Sequence, residues 1–260
     1  MARKPGILVI SHGSRESGWV AAVDHTVNAA RAGLPAGTPV ETAFLELVEG
    51  RLIQDGLDRL EAAGVTEVLA VPMFLSSGST HVDEIGWALG AYPEVRTETD
   101  LEPFRVGAEL TYGRPIDDDP EIVDILLERL SGLSEDPARE CVLLIAHGSE
   151  WPGFHEAWRR GLSSLASSIR ERGGYAETAF AMLRPDMVAD TVGKLRERNP
   201  GAEVIALPVF LSEGYFTKEA IPRRLEGLGC RYDGKTLMPH PLVAKWLERQ
   251  ASEWLRSRQT

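Results

Sequence analysis

The sequence carries the same ordered set of motifs twice. The first copy reads ILVISHGS at residues 7–14, ETAF at 41–44 and VPMFLSSG at 71–78, and the second reads VLLIAHGS at 142–149, ETAF at 177–180 and LPVFLSEG at 207–214. Three matches in one order at a nearly constant offset indicate an internal duplication. We therefore predict two similar halves, residues 1–133 and 138–260, which are joined through a polar, proline-containing stretch at 131–140.

Each half alternates short apolar runs with helical patterns. The predicted strands lie at 6–11, 40–45, 65–73 and 106–110 in the first half and near 141–146, 176–181, 203–208 and 230–236 in the second. The predicted helices of the first half lie at 17–31, 49–63, 81–89 and 117–130, and a last helix of the chain begins near residue 243. Strands buried on both faces and separated by helices are typical of parallel sheets. The sequence thus predicts an α/β protein of two parallel-sheet halves, which would form a bilobal molecule with a central cleft.

Charge and cysteine content exclude several classes of protein. The net charge is −11, from 28 basic and 39 acidic residues, which argues against nonspecific nucleic-acid binding and against a polybasic membrane contact. The two cysteines, Cys141 and Cys230, form no C-x-x-C pair, so neither a zinc knuckle nor a disulfide scaffold is expected. No apolar stretch approaches the ~20 residues that span a bilayer. We expect a cytoplasmic protein and, because a duplicated chain contains both halves, a monomer.

Chemically active side chains follow the predicted strands of the first half. His12, Ser14 and Arg15 follow the first strand, Glu46 follows the second, and the loop after the third strand leads into His81. Ligands of open parallel sheets bind beyond the carboxyl ends of the strands, where these groups converge. Imidazole and carboxylate suit Fe, Co, Ni or Zn ions, and a neutral imidazole is also the usual general base near pH 7. The sequence therefore predicts a site that binds a divalent metal, abstracts protons, or does both.

The second half acts as an internal comparison for this site. At the constant offset, His147 stands for His12, while Met182 stands for Glu46 and Thr217 stands for His81. Two of the three chemical groups would then be lost from the second copy. We therefore expect the first half to hold the reaction centre.

These motifs resemble those of the CbiX/SirB-type sirohydrochlorin chelatases. The resemblance rests on SHGSR at 11–15, ETAFLE at 41–46 and VPMFLSSG at 71–78, and more weakly on AHGS, ETAF and LPVFLSEGY in the second half. It implies the bilobal chelatase fold and the insertion of Fe²⁺ or Co²⁺ into sirohydrochlorin without ATP, towards siroheme or cobalamin. It also implies that His12 is a metal ligand and base, that Glu46 helps to hold the metal, and that His81 is the second histidine. The substrate is expected against Ser14, Arg15, Ser76, Ser77 and Gly78.

The position of His81 departs from the family pattern. His81 is the third residue after Gly78, whereas the family histidine is the second, a position that Phe216 occupies in the other half. One residue turns a helical side chain by about 100°, so either an altered loop brings His81 to the site or the histidine pair is broken. Two alternatives follow: a metalloenzyme for a substrate other than a tetrapyrrole, or a non-catalytic metal or tetrapyrrole binder. The expected metal is Co²⁺ or Fe²⁺, with Ni²⁺ and Zn²⁺ as further candidates.

The acidic balance of the chain adds a requirement. A tetrapyrrole polycarboxylate needs local cations for binding, because long-range steering by a protein of net charge −11 is unfavourable. Arg15 lies nearest to His12 in sequence and is the first candidate. The other candidate cations are Arg51, Arg105, Arg114, Lys218, Arg223 and Arg224.

Overall fold

A computed structural model describes residues 3–258 of the chain. Its elements in chain order are β1 (Pro5–Ser11), α1 (Ser17–Ala32), β2 (Val40–Phe44), α2 (Ile53–Ala62), β3 (Glu67–Pro72), α3 (Thr80–Ala88), β4 (Glu109–Tyr112), α4 (Pro120–Ser131), β5 (Glu140–Gly148), α5 (Pro152–Gly173), β6 (Glu177–Arg184), α6 (Val188–Arg198), β7 (Glu203–Pro208), α7 (Ile221–Leu225), β8 (Cys230–Tyr232) and α8 (Pro241–Ser257). A π-helical turn, Phe216–Ala220, precedes α7. None of the helices within residues 3–258 is both long enough and apolar enough to cross a bilayer.

The strands form two parallel sheets with the same topology. The first sheet has the order β2-β1-β3-β4, and the second has the equivalent order β6-β5-β7-β8. The central strands β1 and β5 each contain a run of completely buried apolar residues, 7–10 and 141–146, as expected for strands with helices on both faces. The predicted α/β fold of two duplicated parallel-sheet halves is confirmed.

The last helix of each repeat belongs to the compact unit that contains the sheet of the other repeat. The chain divides into two compact units, one of residues up to Ile116 together with those from Pro239 onward, and the other of Asp117–Met238. In the first unit α8 packs against α1, and the Gln250 side chain accepts a hydrogen bond from the Arg114 amide at 2.7 Å. In the second unit α4 packs against α5. The compact units are thus bounded differently from the repeats 1–133 and 138–260, because α4 belongs to the second unit and α8 belongs to the first.

Element ends differ from the sequence prediction where turns intervene. The fourth strand of the first sheet is Glu109–Tyr112 rather than 106–110, and the last strand of the second sheet ends at Tyr232 rather than at 236. Helix α2 begins at Ile53 rather than at 49, because Leu47 and Gly50 have positive φ angles of 66° and 74° that no helix accommodates.

Candidate active site

The loop after β1 brings His12 and Glu46 together. The Leu45 amide donates to the Ser11 carbonyl at 2.8 Å, and the Glu46 amide donates to the His12 carbonyl at 3.1 Å. Gly13, the residue after His12, has a φ of +105°, and a Cβ there would lie 1.9 Å from the Glu46 carbonyl oxygen. Only glycine fits this close backbone approach. The glycine of the His-Gly motif therefore sets the distance between β1 and the segment that carries Glu46.

His81 reaches His12 despite its shifted position in the sequence. The two ring centroids are 4.7 Å apart and the ring planes are inclined by 75°, an edge-to-face contact. The loop before α3 forms a tight turn, in which Ser76 accepts hydrogen bonds from the Gly78 amide with its hydroxyl and from the Ser79 amide with its carbonyl, both at 3.0 Å. Of the two expectations for His81, the altered loop that keeps the histidine pair is the one observed.

Hydrogen bonds define which ring nitrogen of each histidine carries the proton. His12 Nδ1 lies 3.1 Å from the Gly13 carbonyl oxygen, and His81 Nδ1 lies 2.6 Å from Glu84 Oε1. A carbonyl oxygen and a carboxylate oxygen only accept, so Nδ1 is the donor in each neutral ring. The Nε2 atoms of both rings are left with a lone pair, which can bind a metal ion or accept a proton.

Glu84 fixes the orientation of His81, a role that the sequence analysis did not identify. Its Oε1 accepts from His81, its Oε2 accepts from the Thr99 hydroxyl at 2.5 Å, and its side chain is only 15% exposed. Burial alone would raise the pKa of this carboxyl. The hydrogen bonds from His81 and Thr99, with the charges of His81 and His12, outweigh burial and lower its pKa. The i,i+3 spacing of His81 and Glu84 on a helix was the available signal.

Glu46 lies beside His12 in an open position. Its Oε1 is 3.7 Å from His12 Nδ1, which is an ion-pair distance but too long for a hydrogen bond, and its side chain is 52% exposed. Within residues 3–258, no three His, Cys, Asp or Glu side chains are grouped so as to hold one metal ion. The arrangement therefore offers two adjacent imidazoles and one solvent-exposed carboxylate rather than a closed metal cage.

The predicted substrate-binding residues differ in how far solvent can reach them. Arg15 is exposed, and Ser14 accepts a hydrogen bond from the Glu16 amide at 3.1 Å. Ser76 and Gly78 are buried and Ser77 is half-buried, and the Ser76 hydroxyl is engaged within its own loop. Among these residues Arg15 offers the accessible cation.

The second unit repeats the geometry of the site with other residues. His147 Nδ1 lies 2.9 Å from the Gly148 carbonyl oxygen, as His12 does with Gly13, and the ring of His147 meets that of Phe216 at 4.9 Å and 84°. The structural counterpart of His81 is thus Phe216, and the expectation of Thr217 was wrong. The constant offset failed here because the turn after Gly214 lacks the additional residue found after Gly78.

The counterpart of Glu46 also differs from the expectation. Ser11 on β1 pairs with Phe44, whereas its equivalent on β5, Ala146, pairs with Met182. Strand β6 is therefore displaced by two residues relative to β2, and Met182 lies within the strand, fully buried. The residue that follows at the sheet edge, in the place of Glu46, is Arg184.

Comparison with known proteins gives one consistent family. The family model described as CbiX matches residues 6–133 and 141–254. The chain is 29% identical over 197 residues to the sirohydrochlorin ferrochelatase of Priestia megaterium, which covers 72% of this chain and 66%, just under two thirds, of that protein. It is 30% identical over 102 residues to the sirohydrochlorin cobaltochelatase of Methanopyrus kandleri, covering 35% of this chain and 71% of that one.

Two solved structures share the fold of this chain. SirB from Bacillus subtilis with Fe³⁺ superposes with a TM-score of 0.75 at 23% identity, over 96% of this chain and 95% of that chain. A structure of CbiX, described as the terminal enzyme of siroheme biosynthesis in denitrifying bacteria, gives a TM-score of 0.63 at 19% identity, over 95% and 98% of the two chains. At these identities the likeness establishes the shared architecture of two parallel-sheet units.

Proposed function

The chain belongs to the CbiX family, and from this we propose that it is a sirohydrochlorin chelatase, which inserts Fe²⁺ or Co²⁺ into the macrocycle without ATP. The observation that carries the proposal is the contact of His12 and His81, whose rings lie 4.7 Å apart and whose Nε2 atoms both hold a lone pair. The names of the relatives and of the solved structures support iron and cobalt as the metals. In this reaction the metal ion is a substrate that passes through the site.

Metal insertion requires two chemical events that imidazoles promote. The ion must exchange bound water for other ligands, and two pyrrole N–H protons must leave the macrocycle. A neutral imidazole is a good ligand for Fe²⁺ and Co²⁺ and a good base near pH 7. We assign both tasks to Nε2 of His12 and Nε2 of His81, with the exposed carboxylate of Glu46 attracting the cation to them.

Glu84 contributes through His81. A lowered carboxyl pKa keeps Glu84 ionised at neutral pH. Its negative charge, 2.6 Å from His81 Nδ1, stabilises the imidazolium that forms when Nε2 accepts a proton. The hydrogen bond also holds the ring in the tautomer that directs the Nε2 lone pair away from Glu84.

The two alternatives from the sequence differ in their support. The argument for a substrate other than a tetrapyrrole was the shifted position of His81, and that argument loses its basis because His81 lies against His12. A non-catalytic binder would share every contact described above and differs only in turnover. Cytoplasmic location, a monomeric state and the choice among Fe²⁺, Co²⁺, Ni²⁺ and Zn²⁺ stay predictions from the sequence.

A turnover assay tests the proposal. Purified protein is mixed with excess sirohydrochlorin and each divalent metal in turn, without ATP, and the absorption spectrum of the metallated macrocycle is followed. We expect more than one turnover per protein molecule with Fe²⁺ or Co²⁺, and a rate above that of the metal and macrocycle alone. Stoichiometric binding without turnover would instead identify a binder, and rates equal to the protein-free reaction would refute the chelatase assignment.

A further inference from the structure

The carboxyl edge of the second sheet repeats the ring geometry of the active site, with a cation at the position of its carboxylate. His147 and Phe216 repeat the edge-to-face ring contact of His12 and His81, with centroids 4.9 Å apart. At the position of Glu46 stands Arg184, so a guanidinium replaces a carboxylate. At these two positions an aromatic ring replaces the second imidazole and a guanidinium replaces the carboxylate, while Glu150 stands where the first repeat has Arg15.

Two backbone observations establish the equivalence of Arg184 and Glu46. In the sheet register Gly148 pairs with Arg184, two residues beyond the pair of Ala146 and Met182. In addition, a Cβ on Gly148, which has a φ of +76°, would lie 2.5 Å from the Arg184 carbonyl oxygen. Gly13 has the same relationship to the Glu46 carbonyl oxygen. Arg184 therefore leaves the backbone directly beside the loop that carries His147.

Arg184 differs from the other cations of this region in being available. Lys218 is paired with Glu213 at 2.9 Å, and Arg224 is paired with Asp186 at 2.6 Å. The side chain of Arg184 is exposed and, among residues 3–258, no acidic partner is assigned to it. An exposed guanidinium without a carboxylate partner is a ready donor to an anionic ligand, and its planar fork suits a carboxylate in particular.

An aromatic cluster adjoins the ring of His147. Phe216 stacks on Phe210 with centroids 5.8 Å apart and planes inclined by 22°, and Tyr215 contacts the edge of Phe216 at 5.6 Å. The Tyr215 side chain is 59% exposed. An exposed tyrosine ring backed by half-buried phenylalanines, in the same unit as an exposed guanidinium, is suited to a ligand that is flat, apolar on its faces and anionic at its rim.

We propose that Arg184, together with His147, Phe216 and Tyr215, forms a metal-independent binding site for the tetrapyrrole polycarboxylate, in which Arg184 holds one carboxylate and the aromatic cluster contacts the macrocycle. This inference rests on the proposed function for the identity of the ligand. It also meets the charge requirement: a protein of net charge −11 repels a polycarboxylate at long range, and a local guanidinium offsets that repulsion within the ~8 Å over which charges act at physiological salt.

Equilibrium binding of sirohydrochlorin to the full-length protein without added metal tests the site. Titration is followed by the change in macrocycle absorbance or by quenching of protein fluorescence, for the wild type and for Arg184→Gln, Arg184→Lys and Tyr215→Ala. We expect Arg184→Gln to weaken binding about 10- to 100-fold, the range for loss of a charge-assisted hydrogen bond, with partial recovery in Arg184→Lys. Arg160→Gln, at an exposed position on α5, is the matched control and should bind like the wild type.

The outcomes separate this inference from the chelatase assignment. Loss of the Arg184 contact should lower the affinity of Arg184→Gln without lowering its melting temperature, whereas a merely structural effect would lower both. Weaker binding in Arg184→Gln without any turnover in the wild type would support the site and refute the chelatase. Equal affinity of the wild type and Arg184→Gln, or no binding to the wild type at all, would overturn the inference.

Discussion

The His12 and His81 rings meet edge to face at 4.7 Å, and the His147 and Phe216 rings meet in the same way at 4.9 Å. In both units the histidine lies at the carboxyl end of the central strand, directly after β1 for His12 and in the last residues of β5 for His147. The partner ring lies where the segment after the third strand turns into a helix. The ring contact is therefore a property of the duplicated fold. The chemistry of the second ring is what differs between the two contacts.

This equivalence predicts the effect of His81→Phe. The substitution gives the first unit the ring pair that the second unit already tolerates, so we expect the melting temperature to stay within a few degrees of the wild type. Removal of one ligand and base should lower kcat for metal insertion about 10²- to 10⁴-fold. The measurement is the steady-state rate with Co²⁺ and sirohydrochlorin. His25→Phe, at an exposed position on α1, serves as the control, and full activity in His81→Phe would remove His81 from the mechanism.

Glu46→Gln tests the role of the exposed carboxylate. Glu46 Oε1 lies 3.7 Å from His12 Nδ1, and the Glu46 side chain is 52% exposed. We expect KM for the metal ion to rise about tenfold, since one charge close to the imidazoles is lost, while KM for sirohydrochlorin is unchanged. Glu49→Gln changes the same charge at another exposed position and should leave both constants as they are. An increase in KM for the macrocycle alone would contradict the assigned role.

Glu84→Gln tests the positioning of His81. The amide oxygen can still accept the hydrogen bond from Nδ1, but the negative charge that stabilises a protonated ring is lost. We expect kcat to fall about tenfold with little change in KM, and Thr99→Val to have a smaller effect of the same kind, because Thr99 contacts only Oε2. Nitrogen NMR of His81 gives an independent readout, since the wild type should show a single Nδ1–H tautomer. A mixture of tautomers in the wild type would contradict the hydrogen-bond assignment.

Periodicity and repeats were sufficient to predict the architecture. Strands such as β1 and β5 are continuous apolar runs in the sequence, and their burial on both faces follows directly. The convergence of His12, Glu46 and His81 followed from the rule that parallel strands end at one edge. These predictions succeed because they depend only on local pattern and topology.

Other features depend on three-dimensional contacts that the pattern does not contain. The two-residue displacement of β6, which puts Arg184 in the place of Glu46, depends on strand register, and ETAF is identical in both copies. The exchange of α4 and α8 between units depends on contacts such as that of Gln250 with Arg114, distant in sequence. The start of α2 at Ile53 depends on the positive φ angles of Leu47 and Gly50.

The Gly13→Ala substitution tests how much the close backbone approach at the site contributes to stability and activity. A Cβ at Gly13 would lie 1.9 Å from the Glu46 carbonyl oxygen, and the φ of +105° is itself unfavourable for alanine. We expect the free energy of unfolding to fall by about 1–3 kcal/mol and the Glu46 segment to move away from His12, so that activity falls further than stability. Urea unfolding and turnover are measured together. Gly18→Ala in α1, where nothing lies within 4 Å of the new Cβ, should be neutral or slightly stabilising.

The ionisation of Glu140 should make the stability of the protein depend on pH. Burial by itself raises the pKa of this carboxyl, but hydrogen bonds from the Glu135 amide, the Ser134 hydroxyl and Arg231 outweigh burial and lower it. Because the pKa is lower in the folded than in the unfolded chain, the ionised carboxylate stabilises the fold above the unfolded value of about 4.3. This contribution is lost as the pH falls through the folded pKa.

Glu140→Gln should therefore be less stable than the wild type at pH 7, by about 2 kcal/mol, and the difference should shrink as the pH is lowered through 4. Urea unfolding at a series of pH values from 7 to 3 measures it. Glu203 contacts the same Arg231 at 3.0 Å, but its side chain is 67% exposed, so Glu203→Gln should change stability by less than about 1 kcal/mol at every pH. A Glu140→Gln difference that stayed constant over this range would show that the loss arises from packing rather than from the charge of the carboxylate.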